Sequence, residues 1–184
     1  MTTLRVTSGR LKGRRIPVPK GEVRPTSERA RQGYFNIVAD RIESAHFLDL
    51  FAGSGIFSFE AISRGAASAA TVDQSRANTE AISGVAQSLQ VAIEVVNSDV
   101  ISALGRLKGR SFGLVYADPP YDYDRYDDLL RGIDGGPLAE DAIVAIEHRR
   151  RSEPFSAKTQ RLSHWRRAEY GEVWITFFNS VRTS

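Results

Sequence analysis

The fold of this 184-residue chain is decided by the stretch Phe47–Gly55, whose sequence is FLDLFAGSG. A short apolar run ends there in an acid and then in a turn of small residues, and an amphipathic segment, residues 56–64, follows. This order predicts a buried parallel strand, a tight glycine turn and a helix. Such a turn lies at the carboxyl end of its strand, where open α/β sheets bind ligands. Gly53 and Gly55 would let the backbone approach a ligand closely.

The spacing of the glycines argues against a dinucleotide site. The dinucleotide fingerprint reads G-x-G-x-x-G, and its third glycine position is occupied here by Ser58. Asp49 would also place a carboxylate beside a pyrophosphate. A carboxylate suits a cationic ligand instead, and S-adenosylmethionine carries two cationic groups, an ammonium and a sulfonium. The turn therefore favours S-adenosylmethionine over a dinucleotide.

Strands and helices alternate through the middle of the chain. We predict strands at 46–50, 69–73, 91–96, 112–117 and 142–147, with helices at 55–64, 75–88, 99–107 and 124–133. Strict alternation of this kind implies a parallel sheet with right-handed crossovers. After Glu147 the pattern changes, and two antiparallel strands, about 161–169 and 172–178, are expected to complete the sheet.

The N-terminal region is interpreted as a basic hairpin followed by a helix. Residues 3–18 alternate in polarity around glycine turns, and Thr26 or Ser27 is expected to cap a helix that runs to about Asp40. Gly33 lies inside this helix, so we expect either packing or a close ligand to require it. We divide the chain into an extension, 1–22, and a main domain, 23–184. The helix residues predicted to face away from the core are Glu28, Arg29, Arg31 and Gln32.

Three further acids follow later strands. Asp73 lies twenty residues beyond Gly53, the spacing of an acid that accepts hydrogen bonds from a ribose diol. Asp99 follows the third strand, where it can accept from an adenine amino group while the Val100 N–H serves a ring nitrogen. A single acid at a strand end is most simply a helix cap. Acids after four successive strands, the fourth being Asp118, are better explained by one ligand site.

The fourth acid opens the motif Asp118-Pro119-Pro120-Tyr121. Two prolines fix the backbone and remove two N–H donors, so the carbonyls of Asp118 and Pro119 are held outward. This arrangement suits methylation of an exocyclic base nitrogen, whose lone pair is delocalised into the base. Hydrogen bonds from the amine to Asp118 and a proline carbonyl would localise that lone pair. Tyr121 would stack on a base flipped into the pocket.

Composition narrows the class of protein. The chain has no cysteine, and its three scattered histidines lack metal-ligand spacing, so no disulfide and no metal site are expected. Neither a signal region nor a membrane-length apolar run is present, and a soluble cytoplasmic protein is the expectation. The net charge is +7 for residues 1–36, −9 for residues 37–147 and +5 for residues 148–184. An acidic body with basic ends suggests a polyanion partner.

The combined motifs resemble those of a known family. D-P-P-Y after the fourth strand, with F-A-G-S-G after the first, is similar to the amino-group methyltransferases of the S-adenosylmethionine-dependent class I fold. More narrowly, residues 24–36 (RPTSERARQGYFN), the hairpin turn 9–14 and the Gly65-Ala66 pair resemble the bacterial RsmD family. Members of that family methylate the N2 amine of guanine in 16S ribosomal RNA. The resemblance covers nearly the whole chain.

The resemblance implies an α/β, Rossmann-like fold. We expect a seven-stranded mixed sheet, parallel except for the final reversed strand, with helices on both faces and a basic N-terminal hairpin. The implied cofactor is S-adenosylmethionine, and the implied partner of this monomer is 16S ribosomal RNA, free or within a small-subunit assembly. The catalytic residues are expected to be Asp118, Pro119, Pro120 and Tyr121. The cofactor-binding residues are expected to be Asp49, Phe51, Ala52, Gly53, Gly55, Asp73, Gln74, Asp99 and Val100. The phosphate-binding residues are expected to be Arg10, Lys12, Arg14, Arg15, Arg24 and Arg29.

Two other functions stay open at the level of sequence. An adenine-N6 DNA methyltransferase often carries the same D-P-P-Y loop, but such enzymes usually add a sequence-reading domain for which we expect no room here. The second is a non-catalytic RNA-binding module, against which the intact loop and the intact glycine turn argue. Three residues also depart from the RsmD pattern, which usually has Asp at Glu28, Glu at Gln32 and a better helix former at Gly33.

Overall fold

The computed structural model describes residues 2–19, 25–150 and 154–181. Within these ranges the chain forms a seven-stranded sheet with helices on both faces and a separate two-stranded hairpin. The elements in chain order are β1 (Thr3–Arg5), β2 (Arg15–Pro17), α1 (Pro25–Ile37), β3 (His46–Leu50), α2 (Ile56–Ser63), β4 (Ser68–Asp73), α3 (Arg76–Leu89), β5 (Ile93–Asn97), α4 (Val100–Arg106), β6 (Phe112–Ala117), α5 (Tyr126–Asp134), β7 (Leu138–Arg149), β8 (Leu162–Tyr170) and β9 (Val173–Ser180).

The predicted seven-stranded mixed sheet is confirmed. Its strand order is β5-β4-β3-β6-β7-β9-β8. The pairings from β5 to β7 are parallel, whereas β9 runs antiparallel between β7 and β8. The order switches direction at β3, because β4 and β6 lie on either side of it. Ligands bind outside the carboxyl ends of strands at such a switch point.

Helices cover both faces of the sheet because the strands are apolar on both. Along β3, Leu48 and Leu50 belong to one buried cluster, which α4 and α5 complete. Phe47 belongs to the opposite cluster, which includes Tyr34 of α1 and Ile62 of α2. Successive strand residues point to opposite faces, so a fully apolar strand requires cover on both sides. The predicted α/β architecture is confirmed.

The hairpin packs against α2 and α3. A third apolar cluster joins hairpin residues Val6, Leu11 and Ile16 to Phe59 of α2 and Ile82 of α3. The hairpin therefore shares a core with the main sheet's helices, although its two strands pair only with each other among the described residues. The boundary predicted between residues 22 and 23 lies outside the described residues.

A buried carboxylate holds the hairpin to α2. Glu60 is fully buried and accepts hydrogen bonds from the Thr7 N–H (2.9 Å), the Thr7 hydroxyl (2.6 Å) and the Ser8 N–H (3.1 Å). Arg64, the residue after the end of α2, forms an ion pair with the same carboxylate (2.9 Å). A buried charge is costly unless it is paired and hydrogen-bonded, so the position of the hairpin depends on these contacts.

Two predictions for α1 are wrong. The helix ends at Ile37, and a 3₁₀ turn over Ala39–Arg41 follows it, so the predicted extension to Asp40 fails. Arg31, which was expected to face away from the core, is only 1% exposed. Its guanidinium donates to the carbonyl of Arg5 in the hairpin (3.0 Å). Helical periodicity could not reveal this burial, because the acceptor comes from a different part of the chain.

Packing explains the glycine inside α1. A Cβ at Gly33 would overlap the hydroxyl and ring carbons of Tyr170, at the end of β8. The close approach of this tyrosine therefore requires a residue without a side chain, which offsets the cost of about 1 kcal/mol for glycine in a helix.

Candidate active site

The glycine turn after β3 has an unusual backbone. Phe51, Gly53 and Gly55 all have positive φ, at 62°, 56° and 73°. Such values cost little at glycine, but for a bulky residue they mark a strained position of the kind found at functional sites. A Cβ on Gly53 would meet no atom of the described residues within 4 Å. The turn thus presents open backbone at the carboxyl edge of the sheet.

Asp73 is tied directly to this turn. Its Oδ2 accepts from the Gly53 N–H (2.8 Å), and its Oδ1 accepts from the Ser75 N–H (2.8 Å) and the Asn78 side-chain amide (3.2 Å). The spacing between Gly53 and Asp73 predicted that Asp73 contacts a ligand, but it did not predict that Asp73 also holds the turn. Each carboxylate oxygen accepts more than one hydrogen bond, so Asp73 can hold the turn and still accept from a ribose hydroxyl.

Asp49 is a buried acid beneath the turn. It is 2% exposed, and its Oδ2 accepts from the N–H (3.2 Å) and the hydroxyl (2.9 Å) of Ser58. Burial raises the pKa of Asp49 to about 7, against the opposing effect of the two Ser58 bonds. Ser58 occupies the position of the third fingerprint glycine, and it orients this carboxylate. A buried acid of this kind is stabilised by a cationic group brought next to it.

The remaining predicted cofactor residues lie along the same edge. Asp99 is exposed and caps α4, since its Oδ1 accepts from the Ser102 N–H (3.0 Å) and hydroxyl (3.2 Å). Val100 is the first residue of α4 and Gln74 is exposed after β4. The Ala52 N–H donates to the carbonyl of Val72, near the end of β4 (3.1 Å). Asp99 therefore caps α4, the role that an acid at a strand end can have without a ligand.

The Asp118–Tyr121 loop lies next to the glycine turn. The Asp118 N–H donates to the carbonyl of Leu50, the last residue of β3 (3.2 Å). A second connection is aromatic, since the rings of Phe51 and Tyr123 meet edge to face with their centres 5.2 Å apart. The loop itself closes through a bond from the Tyr123 N–H to the Pro120 carbonyl (2.9 Å). The two motifs, about seventy residues apart in sequence, thus form one site.

Tyr123 adds a polar group that sequence reasoning missed. Its hydroxyl is buried and has no hydrogen-bond partner within the described ranges. Burial, with a smaller contribution from the charge of Asp99, raises the pKa of Tyr123 to about 12. A buried hydroxyl without a partner is costly in a folded protein. Because Tyr123 lies beside Phe51 of the glycine turn, a polar ligand bound there could supply a hydrogen-bond partner for this hydroxyl.

The loop lines a pocket together with the end of β7. Asp118 and Tyr121 are exposed, whereas Pro119 is buried. The other residues lining this pocket are Pro120, Tyr126, Glu147, His148, Arg149, Glu172 and Val173. Glu147 was not predicted as a site residue, although the sequence held a signal. It ends the strand predicted at 142–147, just as the four predicted acids end or follow the earlier strands, and in the structure it comes directly after the last residue of β7 that pairs with β6.

The predicted phosphate-binding residues occupy two places. The side chains of Arg10, Lys12, Arg14 and Arg15 lie in the hairpin. The hairpin tip contacts the end of α2, where the Arg10 N–H donates to the carbonyl of Ser63 (2.8 Å). Because α2 begins at the glycine turn and ends at Ser63, this tip lies at the far end of the helix from the turn. Arg29 is exposed on α1, and Arg24 lies outside the described residues.

A glycine turn and a D-P-P-Y loop that share one edge of a sheet whose last strand is reversed define the class I S-adenosylmethionine-dependent methyltransferases. The comparisons with known proteins place the chain more narrowly. It belongs to the family described as Conserved hypothetical protein 95, whose family model matches residues 4–179.

Curated relatives and a solved structure agree with this membership. "Ribosomal RNA small subunit methyltransferase D" of Escherichia coli strain K12 is 36% identical over 147 residues, which cover 78% of this chain and 74% of the relative. The Haemophilus influenzae protein of the same name is 30% identical over 150 residues, with 78% of each chain covered. The solved structure of Escherichia coli yhhF superposes with a TM-score of 0.86 at 29% identity, covering 99% of this chain and 100% of that one. The resemblance to the RsmD family is confirmed.

In the part of the chain that the structure describes, no helix combines the length and apolar character needed to cross a membrane.

Proposed function

We propose that this protein transfers a methyl group from S-adenosylmethionine to the exocyclic N2 amine of a guanine in 16S ribosomal RNA. The observation that carries the proposal is the hydrogen bond from the Asp118 N–H to the Leu50 carbonyl (3.2 Å). It brings an amine-binding loop next to a glycine turn suited to the cofactor. The names of the Escherichia coli and Haemophilus influenzae relatives support small-subunit ribosomal RNA as the substrate.

The residues around the glycine turn fit S-adenosylmethionine. The open side of Gly53 admits close approach, and the buried carboxylate of Asp49 complements a cationic amino acid group. Asp73 and the hydroxyl of Tyr123 supply polar contacts for the sugar and the base. When bound, S-adenosylmethionine supplies an electrophilic methyl carbon, and the carbon–sulfur bond that breaks leaves its electron pair on sulfur as a neutral thioether.

The D-P-P-Y loop binds and orients the amine. Asp118 and the Pro119 carbonyl accept hydrogen bonds from the two N–H groups, which concentrates the nitrogen lone pair on the side facing the glycine turn. As the nitrogen–carbon bond forms, the Asp118 carboxylate would stabilise the positive charge that develops on the nitrogen. The nitrogen then releases one proton to the water that reaches the exposed Asp118. Positioning the amine within one site supplies much of the rate.

Other functions have less support. Adenine-N6 methylation needs the same loop, but neither of the two curated relatives described above carries a DNA methyltransferase name. A non-catalytic RNA-binding module does not require a buried acid beneath an open glycine turn. The proposed partner is 16S ribosomal RNA reached by a monomer in the cytoplasm, and free RNA and assembled small subunits are the two forms to compare. We also propose that residues 1–22 act as an extension to the domain formed by 23–184.

The test separates chemistry from cofactor binding. Asp118→Ala removes an acceptor needed as the transition state forms, so turnover should fall by about 100-fold or more, as for loss of a transition-state hydrogen bond. Calorimetry should give an unchanged affinity for S-adenosylmethionine, because the glycine turn is intact. Methylation by this variant at the wild-type rate under single-turnover conditions would remove the role given to Asp118.

A further inference from the structure

Two acids lie side by side on adjacent strands in the pocket. β6 and β7 are parallel with Ala117 opposite Ile146, so the residues that follow, Asp118 and Glu147, are next to each other across strands about 4.8 Å apart. Registered residues of a parallel pair point to the same face of the sheet. Both side chains accordingly line the same pocket. Glu147 therefore lines the pocket beside the loop proposed to bind the amine.

Glu147 is held in one orientation. It is 9% exposed, and the hydroxyl of Tyr116 donates to its Oε2 (2.6 Å). Tyr116 is fully buried and stacks on Phe57 with ring centres 3.8 Å apart. Tyr34 meets it edge to face at 4.9 Å. This aromatic packing fixes the phenol, and the phenol fixes the carboxylate. An acid so constrained at a pocket wall presents acceptors in a defined direction.

Guanine and adenine differ in the group that would face this acceptor. Guanine carries an N1–H donor next to its N2 amine, whereas adenine has an unprotonated, accepting nitrogen at N1. Enzymes that act on flipped bases read them through this Watson–Crick edge. When the amine binds Asp118 and the Pro119 carbonyl, Glu147, which is adjacent to Asp118, would lie opposite N1, the ring position next to the amine. A carboxylate has about four acceptor sites on its two oxygens, so a carboxylate that is already hydrogen-bonded can also accept from a base.

We infer that Glu147 is the residue that selects guanine, by accepting a hydrogen bond from its N1–H while Asp118 and the Pro119 carbonyl hold the N2 amine. Tyr116 acts as the positioning residue for this carboxylate. The inference rests on the proposed function and adds the source of base specificity. It also predicts rejection of adenine, because a carboxylate opposite an accepting N1 has no proton to share.

The analogue 2-aminopurine isolates this contact. It keeps the amine at position 2 but has an accepting N1 without a hydrogen. The guanosine that the wild-type protein methylates in 16S ribosomal RNA is located first, and RNA is then prepared with 2-aminopurine riboside at that position. The measured quantity is the ratio of kcat/KM for the guanine RNA to kcat/KM for the 2-aminopurine RNA. Loss of the group at position 6 affects wild type and variant alike, so comparing their ratios isolates N1.

Glu147→Gln is the decisive variant. The amide has nearly the same shape, retains an acceptor for Tyr116 and can donate to the N1 of 2-aminopurine. A hydrogen bond to a charged group corresponds to a preference of about tenfold or more, so the ratio should fall by about tenfold. Glu140→Gln makes the same change at the exposed opposite end of β7, and its ratio should equal that of the wild type.

Each outcome bears on a different claim. A fall in the ratio of about threefold or more in Glu147→Gln supports the inference, and a smaller change overturns it. If Glu147→Gln does not fold, Tyr116→Phe takes its place, since it removes the Tyr116 hydrogen bond and keeps the carboxylate. The ratio should fall there too, and an unchanged ratio overturns the inference. If the wild-type protein methylates no guanine N2 amine at all, the proposed function fails instead.

Discussion

The guanidinium carbon of Arg149 lies 3.0 Å from the centre of the Tyr121 ring. The tyrosine is 55% exposed, so the arginine at the end of β7 covers one face of a ring that otherwise meets solvent. The pair also stands between two clefts, both of which it lines. A base that stacks on Tyr121 must use the opposite face of the ring or displace this guanidinium.

Arg149 should therefore hold Tyr121 ready for a base. Replacing it in Arg149→Ala removes a cation–π contact of about 0.5–1 kcal/mol at an exposed site, and KM for RNA should rise by about two- to fivefold. Affinity for S-adenosylmethionine should not change. Arg150→Ala removes a neighbouring exposed arginine that pairs with Glu172 (3.7 Å) and provides the matched control. Equal KM values for the two variants would show that Arg149 acts only through its charge.

We expect the cofactor to approach the backbone closely at Gly53. Gly53→Ala adds a methyl group where no described atom lies within 4 Å, so the folded protein pays only the backbone penalty for positive φ, about 1–2 kcal/mol. Affinity for S-adenosylmethionine should nevertheless fall by about tenfold or more, because the added methyl group blocks the close approach of the ligand to the backbone. Calorimetry measures this fall directly.

Gly109→Ala is the matched control for that measurement. Gly109 also has positive φ (95°) with open space around its Cβ position, and it lies in the segment between α4 and β6. Gly109→Ala should lower the free energy of unfolding by a similar amount without altering the affinity for S-adenosylmethionine. Wild-type affinity in Gly53→Ala would place the cofactor away from this turn.

Asp49 should make the unliganded protein less stable as pH rises. Its pKa is raised to about 7 in the folded protein, so folding takes up a proton between about pH 4 and pH 7, where the unfolded acid is ionised. The cost of the buried charge is absent at low pH, grows through this range and is complete above it. Asp49→Asn removes the titrating group, and each pKa unit corresponds to about 1.4 kcal/mol.

Thermal unfolding of wild type and Asp49→Asn at about pH 5 and about pH 8 tests this prediction. The variant should gain more stability at the higher pH than at the lower, while binding S-adenosylmethionine more weakly because the carboxylate is absent. The same difference in Tm at both pH values would contradict a raised pKa for Asp49.

The basic hairpin should contribute to RNA binding through charge. Deletion of residues 1–18 would uncover Phe59 and Ile82 and leave Glu60 without its hairpin donors, so substitution is the cleaner change. Serine at Arg10, Lys12, Arg14 and Arg15 should lower the log–log salt slope of RNA binding by about 0.7–0.9 for each phosphate that is no longer neutralised. Affinity for S-adenosylmethionine should remain at the wild-type value.

A matched variant carries serine at four cations elsewhere, Arg76, Arg106, Lys108 and Arg110. Its salt slope should stay close to that of the wild type. The hairpin tip lies at the end of α2 distant from the glycine turn, so the RNA would have to extend along this helix. An unchanged slope in the hairpin variant would move the RNA surface to β8 and the end of β7.

The succession of strands along the chain was predictable because each strand carries a strong local signal. Apolar runs bounded by turns define them, and acids such as Asp73 lie where parallel strands must end. The longer β7 was underestimated, since Leu138 lies beyond a break in the apolar run and pairs with Phe112 across an irregular register. Local pattern cannot show a pairing partner that lies elsewhere in the chain.

The parts of the site that escaped prediction depend on contacts between distant residues. Glu147 belongs to the site because it lies beside Asp118 and because the hydroxyl of Tyr116, 31 residues away, donates a hydrogen bond to it (2.6 Å). Arg31 is buried because a hairpin carbonyl is available to it. In both cases a polar residue is stabilised by a partner that periodicity does not encode, so an exposed position was the simplest expectation.

The central claim is most directly tested by identifying the methylated nucleoside. The wild-type protein is incubated with methyl-labelled S-adenosylmethionine and with naked 16S ribosomal RNA, assembled small subunits or duplex DNA, and each nucleic acid is digested to nucleosides. We expect label in N2-methylguanosine from the ribosomal RNA, in free or assembled form, and none in the DNA. Label in N6-methyladenine, or no transfer to either form of the RNA, would contradict it.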